Sequence, residues 1–192
     1  MIKTNLPIFL ASKSPRRKKL LKQLNLNFRI LDIEIDEKIS NGEKPVHAVK
    51  RLSLDKLNEA KNYVKKGIII TADTIVVLDK KIIGKPVNNK DAQRILKKLS
   101  GKTHSVYTGF SIFNSVKGKT ITDYEKTLVT FRKLTSNEIE DYIKTSSPMD
   151  KAGAYGIQDD FGAVFIEKIN GCYYNVVGLP LTKVYKSLLR IV

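Results

Sequence analysis

Two hydrophobic periods alternate along this chain and predict its elements. Residues 6–11 (Leu-Pro-Ile-Phe-Leu-Ala) form a short apolar run, long enough for a buried strand. After a polar turn, Leu20, Leu21 and Leu24 recur at helical spacing. Residues 28–35 alternate, with Phe28, Ile30, Ile33 and Ile35 apolar. This predicts a second strand that runs into the acidic cluster Glu34-Ile35-Asp36-Glu37. A Ser-Asn-Gly-Glu-Lys-Pro loop at 40–45 precedes an amphipathic helix over about 46–63, marked by Val49, Leu52, Leu57 and Ala60 and carrying Arg51 and Lys56. Ile68-Ile69-Ile70-Thr71-Ala72 is the most strand-like run and is expected to be central and covered on both faces. The pattern predicts that Asp73-Thr74 interrupts it. Ile75-Val76-Val77-Leu78 then resumes, and Asp79-Lys80-Lys81 turns the chain back into Ile82-Ile83 as a hairpin.

Gly84-Lys85-Pro86 follows as a fixed bend, and a short helix over 91–99 closes at Ser100-Gly101. Residues 104–113 and 120–132 read as strands joined by the Lys-Gly-Lys turn at 117–119. Ser136 is expected to cap a helix reaching about 144. Residues 145–162 are glycine-rich and irregular, and a long ordered loop of this kind is more often functional than not. A strand over 164–169, a hairpin partner over 173–177 and a final helix from 181 to about 191 complete the chain. Strands and helices alternate, so the class is α/β. The hairpins make the sheet mixed rather than all parallel.

Composition narrows the function. The 192 residues suffice for one sizeable domain, and 42% hydrophobic content allows a proper core. No apolar run is long enough to span a bilayer, and residues 6–11 are too short for the core of a signal peptide. The single cysteine, Cys172, excludes an internal disulfide, fits a cytoplasmic, reducing location, and reads as a small buried or half-buried residue. His47 and His104 are too few and too scattered for a histidine metal site and read as surface residues of a helix or strand. The net charge of +16 suits an anionic partner. However, the Lys-Lys pairs at 18–19, 65–66, 80–81 and 97–98 are spread out and read as solvated surface. No zinc-finger, helix-turn-helix or RNA-recognition signature accompanies them, so no stable nucleic-acid partner is expected.

Two stretches carry candidate chemistry. In the turn Ser12-Lys13-Ser14-Pro15-Arg16-Arg17, Ser14 suits a helix N-cap and Pro15 the first helical position. A helix start offers backbone N–H groups and the positive end of the dipole, and arginine adds a planar fork for phosphate oxygens. The same stretch also reads as an ordinary capped surface helix in a lysine-rich chain. Asp73 lies inside a β-branched run, where a charged carboxylate is costly unless it meets a cation, a metal or a cavity. It is a candidate base or metal ligand, or else a turn-forming aspartate. Lys56 and Lys85 are candidate phosphate-pairing cations, though each taken singly reads as solvated.

Several separated segments together resemble the Maf family. They are Ala11-Ser12-Lys13-Ser14-Pro15-Arg16-Arg17 with Leu20-Leu21, Ala72-Asp73-Thr74, Gly84-Lys85-Pro86, Leu99-Ser100-Gly101-Lys102-Thr103-His104, Met149-Asp150-Lys151-Ala152-Gly153-Ala154-Tyr155-Gly156-Ile157-Gln158 and Val177-Gly178-Leu179-Pro180. The matches occur in the family's order over essentially the whole of 1–192, read as a single Maf-like domain. The resemblance implies a Maf/Ham1-like (ITPase-like) α/β fold: a mixed twisted sheet flanked by helices, with two lobes around a central cleft. It implies a nucleoside triphosphate pyrophosphatase that cleaves between the α and β phosphates with a divalent cation, Mg2+ or Mn2+. The segment ending at Gln158 resembles the branch acting on dTTP and UTP; the sister branch acting on 7-methyl-GTP lacks its closing pattern. On this resemblance Asp73 is the proton acceptor, and Arg16, Thr74 and Gln158 select the base. Ser12, Arg17, Glu37, Lys56 and Lys85 fall on further polar positions of the family's site, and Glu37 or Asp73 holds the metal. The chain departs from the usual pattern at Asp159-Asp160-Phe161, which bears on the shape of the base pocket.

Residue types then suggest a division of labour. Cationic side chains neutralise the triphosphate, Asp73 orients or deprotonates water, and Gln158, with both donor and acceptor, reads the imide edge of uracil or thymine. The alternatives are a 7-methyl-GTP or broader pyrophosphatase, a non-enzymatic nucleic-acid binder motivated by charge, and a division-regulating protein acting through partner contacts. A homodimer is the commonest assembly for a small enzyme and is the expectation here.

Overall fold

The computed structural model describes residues 2–40, 42–145, 147–158 and 161–192. The 40–45 loop and the irregular 145–162 segment read from sequence include Asn41, Ser146, Asp159 and Asp160, which lie outside the described residues. Among the described residues there is a mixed seven-stranded sheet, with β2-β1-β3-β5-β6-β7 in that order and β4 paired to β3. Its strands are β1 (Ile8–Ala11), β2 (Phe28–Leu31), β3 (Ile68–Leu78), β4 (Lys81–Ile83), β5 (Thr103–Asn114), β6 (Lys119–Phe131) and β7 (Ile166–Asn170). The helices are α1 (Pro15–Lys22), α2 (Pro45–Lys61), α3 (Asn89–Leu99), α4 (Ser136–Lys144), α5 (Tyr173–Val177) and α6 (Leu181–Ile191). No helix is long and apolar enough to cross a membrane among the described residues. The α/β class and mixed sheet expected from sequence are observed.

The chain forms two compact units. The first comprises Met1–Asp73, Thr108–Glu125 and Gly178–Val192; the second comprises Thr74–Tyr107 and Lys126–Val177. In the first unit β1 runs parallel to both neighbours, with Ile8 opposite Phe28 on one side and Ile68 on the other. Parallel neighbours need crossover connections, which α1 and α2 supply. α2 buries Leu57 and Ala60 against Ala11, Val64 and Ile69, with Phe9, Leu31 and Phe113 packed around them. It also lies directly on β5. A Cβ on Gly109 would stand 2.2 Å from the Val49 carbonyl oxygen and 2.9 Å from Lys50 N, so only glycine lets the helix backbone approach this closely.

In the second unit Ala92, Ile95, Leu96 and Leu99 of α3 and Ile139, Tyr142 and Ile143 of α4 bury their apolar faces in one core with Val76, Val106, Phe131, Tyr155 and Phe165. Both helices are capped. Asn88 Oδ1 accepts from Asp91 N at 2.9 Å, and Thr135 and Glu138 close a reciprocal capping box. His104, at the start of β5, is 2% exposed, so the sequence expectation of a surface histidine does not hold. It packs edge-on against Phe131 and Tyr155, and a ring that fills an aromatic core costs less buried than the bare polarity of histidine suggests.

Four other boundaries differ from the sequence reading. β3 runs through Asp73 and Thr74 without interruption, because Asp73 is neutralised from outside the strand. β2 stops at Leu31; beyond it Asp32 and Glu34 turn to Lys13, at 3.3 and 2.6 Å. Thr135 rather than Ser136 caps α4. Residues 173–177 form α5 rather than a strand, anchored by buried Asn175, whose Nδ2 donates to Val106 O at 3.0 Å and to Thr127 Oγ1 at 2.9 Å.

Gly109→Ala is expected to cost about 3 kcal/mol of stability, because the added methyl meets backbone that cannot rotate away; urea unfolding measures it, and an alanine variant as stable as the parent would contradict the close approach. Burial also pushes the His104 imidazole down to about 4 from its ordinary 6.5. The unfolded chain then takes up a proton that the folded chain refuses. This contribution is full above about pH 6.5 and lost as pH falls toward 4, by up to roughly 3 kcal/mol. Urea midpoints across that window should fall, and His104→Phe should flatten the slope.

Candidate active site

The first unit assembles a compact ionic group. Asp73 sits within β3, where alternation places its side chain on the same face as Thr71 and Ile69. That face is covered by α2, and Lys56 projects from α2 so that its Nζ lies 2.6 Å from Asp73 Oδ1. Asp73 is 7% exposed and Lys56 8%, so Lys56 is not the solvated lysine that its isolated position suggests. The same Nζ lies 2.6 Å from Glu37 Oε1, in the chain between β2 and α2. One ammonium thus bridges two converging carboxylates.

A hydroxyl contact fixes this register. Thr71, two residues before Asp73, donates from Oγ1 to Ser53 O at 2.6 Å, and Ser53 precedes Lys56 by three residues on α2. Ser53 Oγ in turn lies 3.0 Å from Ser111 Oγ, which lies 2.9 Å from Thr122 Oγ1. Buried hydroxyls satisfied in this way specify one docking of helix on sheet.

The turn after β1 contributes the second part. Ser14 caps α1, its Oγ accepting from Arg17 N at 3.4 Å, while Ser12 Oγ accepts from Ser14 N at 3.2 Å and from Arg17 Nη1 at 3.4 Å. Arg17 Nε donates to the Gly178 carbonyl at 2.8 Å, which fixes the guanidinium plane. Burial disfavours the Arg17 charge most, and neighbouring Arg16 adds to this; Asp73 and Glu37 oppose it, and the guanidinium is held below the usual arginine range. Arg16, Arg17, Glu37 and Asp73 therefore share one electrostatic neighbourhood. The turn is a capped helix start, one of the two sequence readings, and it sets a cationic group beside carboxylates.

Glu37 and Asp73 offer hard oxygens, and their convergence on one cation tests whether a divalent ion suits them. Among the described residues no group of three or more His, Cys, Asp or Glu is arranged to hold a metal ion. Two carboxylates fit Mg2+ when phosphate oxygens and water complete its shell, rather than an all-protein cage.

Thr74, Lys85 and Gln158 belong to the second unit. Thr74 is half-buried on β3, and Lys85 is exposed in the bend after β4. Gln158 is half-buried, and its Oε1 is shielded from solvent with no hydrogen-bond partner among the described residues. The segment leading to Gln158 is tied to the Lys85 bend, since Gly153 N donates to Gly84 O at 3.1 Å. The sequence assigned no role to the Gly178 carbonyl or to the Ser53, Thr71 and Ser111 hydroxyls. Only the Val177-Gly178-Leu179-Pro180 match hinted at the first, and nothing local marked the others.

A family model described as Maf-like protein matches residues 7–191. A dTTP/UTP pyrophosphatase from Clostridioides difficile (strain 630) is 47% identical over 92% of this chain and 90% of that protein. One from Dictyoglomus thermophilum is 46% identical over 96% of this chain and 95% of its own length. One from Thermosipho africanus (strain TCF52B) is 50% identical over 94% and 91% respectively. The extent of these matches, which take in the turn after β1, the Asp73 strand and the Gln158 segment alike, makes this chain a member of the Maf family.

Proposed function

We propose that this chain hydrolyses dTTP and UTP to the nucleoside monophosphate and pyrophosphate. The observation that carries the reading is the buried Asp73 carboxylate, paired with Lys56 at 2.6 Å. It stands beside arginine in a chain 46–50% identical to proteins named for that activity.

A triphosphate repels an anionic nucleophile, so the first requirement is cancellation of charge. Arg16, Arg17, Lys56 and Lys85 supply cations and Ser12 a hydroxyl donor. The guanidinium of Arg17 is already oriented by Gly178, so less side-chain entropy is lost on gripping phosphate. Asp73 takes the proton of the attacking water as its oxygen bonds to the α-phosphorus. The bond from that phosphorus to the bridging oxygen breaks, and pyrophosphate leaves with the electron pair. Lys56 holds the Asp73 carboxylate in place before this step. Thr74 and Gln158 read the pyrimidine edge. Gln158 suits the task because its shielded amide oxygen, with no hydrogen-bond partner among the described residues, can accept from a donor such as the imide N–H.

A divalent ion, Mg2+ or Mn2+, supplies further neutralisation of the phosphates when bound. Glu37, with 45% of its side chain exposed, suits an ion that keeps part of its hydration shell, whereas Asp73, at 10%, suits proton transfer.

A panel of natural nucleoside triphosphates with Mg2+ or Mn2+, scored for pyrophosphate against orthophosphate, tests the reading; dTTP and UTP should lead and pyrophosphate should be the first product. Orthophosphate as the first product would contradict the assigned bond. Asp73→Asn is expected to lower kcat by about 10³-fold at every Mg2+ concentration. Glu37→Gln should instead raise the Mg2+ concentration for half-maximal rate by about tenfold and leave a saturable rate. Reversal of these two patterns would exchange the roles.

A further inference from the structure

The Ser-Gly-Lys-Thr-His stretch ending at His104 is one of the segments on which the resemblance to the family rests, yet the reaction outlined above gives it no task. In the structure His104 is 2% exposed and its Nε2 lies 2.8 Å from the Tyr155 hydroxyl. The two rings and Phe131 meet edge to face, with centroids 5.1, 5.4 and 4.7 Å apart. Tyr155 is itself buried and stands three residues before Gln158.

The backbone leading into Tyr155 is held in an unusual path. Gly153 and Ala154 both have left-handed backbone, with φ of 75° and 60°. Alanine rarely adopts that conformation, and it persists only where the surroundings over-determine it. One restraint lies on each side. Gly153 N is bonded to Gly84 O, and a Cβ on Gly153 would stand 2.9 Å from Val76 Cγ2. Tyr155 is the second restraint, and its hydroxyl lies 2.8 Å from Nε2 of the buried His104. Beyond it the Gly156 carbonyl lies so close to Gly162 that a Cβ there would meet it at 2.9 Å. A one-residue slip at Tyr155 would unmake the imidazole contact and carry Gln158 with it.

We propose that His104 and Tyr155 are positioning residues for base selection: their hydrogen bond sets the register of residues 155–158 and so the placement of the Gln158 amide. This inference rests on the reading of Gln158 as the residue that recognises the pyrimidine. The pair acts on discrimination between bases and contributes nothing to the charge cancellation or proton transfer at Asp73. A merely structural pair would instead lower stability and affect all triphosphates alike.

The test measures kcat and KM for UTP, CTP and tripolyphosphate, which has no base, together with thermal unfolding. Tyr155→Phe removes the hydroxyl and keeps the ring. It should raise KM for UTP about tenfold, reduce the UTP-over-CTP preference by a similar factor and leave kcat within about twofold. Turnover of tripolyphosphate should be unchanged. His104→Phe should match it, and the double variant should be no worse than either single one, because both remove the same bond. His104→Gln, which keeps a polar group near the Nε2 position, should restore the preference, and it serves as the comparison if either phenylalanine variant unfolds. In a Gln158→Ala background, Tyr155→Phe should change the preference no further. Folded Tyr155→Phe and His104→Phe proteins with parental preference would overturn the inference, as would an equal loss on all three substrates. If Gln158→Ala itself leaves the preference unchanged, the reading of Gln158 fails instead, and the two failures are told apart by that single variant.

Discussion

One ammonium shared by two carboxylates is the interaction around which the first unit is organised. Removing a lysine and an aspartate from water is expensive, and such a pair adds little net stability compared with well-packed apolar side chains. Its value lies in giving the Asp73 carboxylate a counter-ion inside a β-branched strand, where burial without a partner is costly. The arrangement demands that α2 sit on the sheet at one height and one rotation. Gly109 sets the height by omitting a side chain, and the Thr71, Ser53 and Ser111 hydroxyls set the rotation by leaving each other satisfied only in that register.

Much of this was visible in the chain itself. β1, α1, α2 and the run beginning at Ile68 follow from period and caps, and Asp73 stood out because a carboxylate does not belong in such a run. The inference that it breaks the strand failed for the same reason that it was informative. Its neutralising partner lies 17 residues upstream on another element, and local pattern cannot register a partner across space. The α5 error has a similar origin. Tyr-Tyr-Asn-Val-Val has strand-like composition, but Asn175 finds its acceptors on β5 and β6 only when the backbone is helical. His104 looked like a surface residue because one histidine carries no sign of the two rings that enclose it.

The excess of positive charge, by contrast, has little to do with the site. Arg51 is spent on Glu43 and Asp55, Lys13 on Asp32 and Glu34, and Arg132 on Glu138, whose carboxyl is held down at about 2 chiefly by the hydrogen bond from that arginine. These exposed pairs order loops and helix ends, each with modest energy. Arg17 and Lys56 stand apart from these pairs. They are distinguished by what holds them, a carbonyl for Arg17 and two carboxylates for Lys56, rather than by number.

The hold on Arg17 has a temporal side. Its guanidinium is fixed by a carbonyl 161 residues further along the chain. During synthesis the arginine precedes the group that aims it by 161 residues, so the bond can form only once residue 178 has left the ribosome. A nascent chain that does not yet include residue 178 therefore carries a cationic turn whose guanidinium has no carbonyl to orient it. Closing so long a loop is slow relative to local helix formation, so α1 can form before its arginine is aimed.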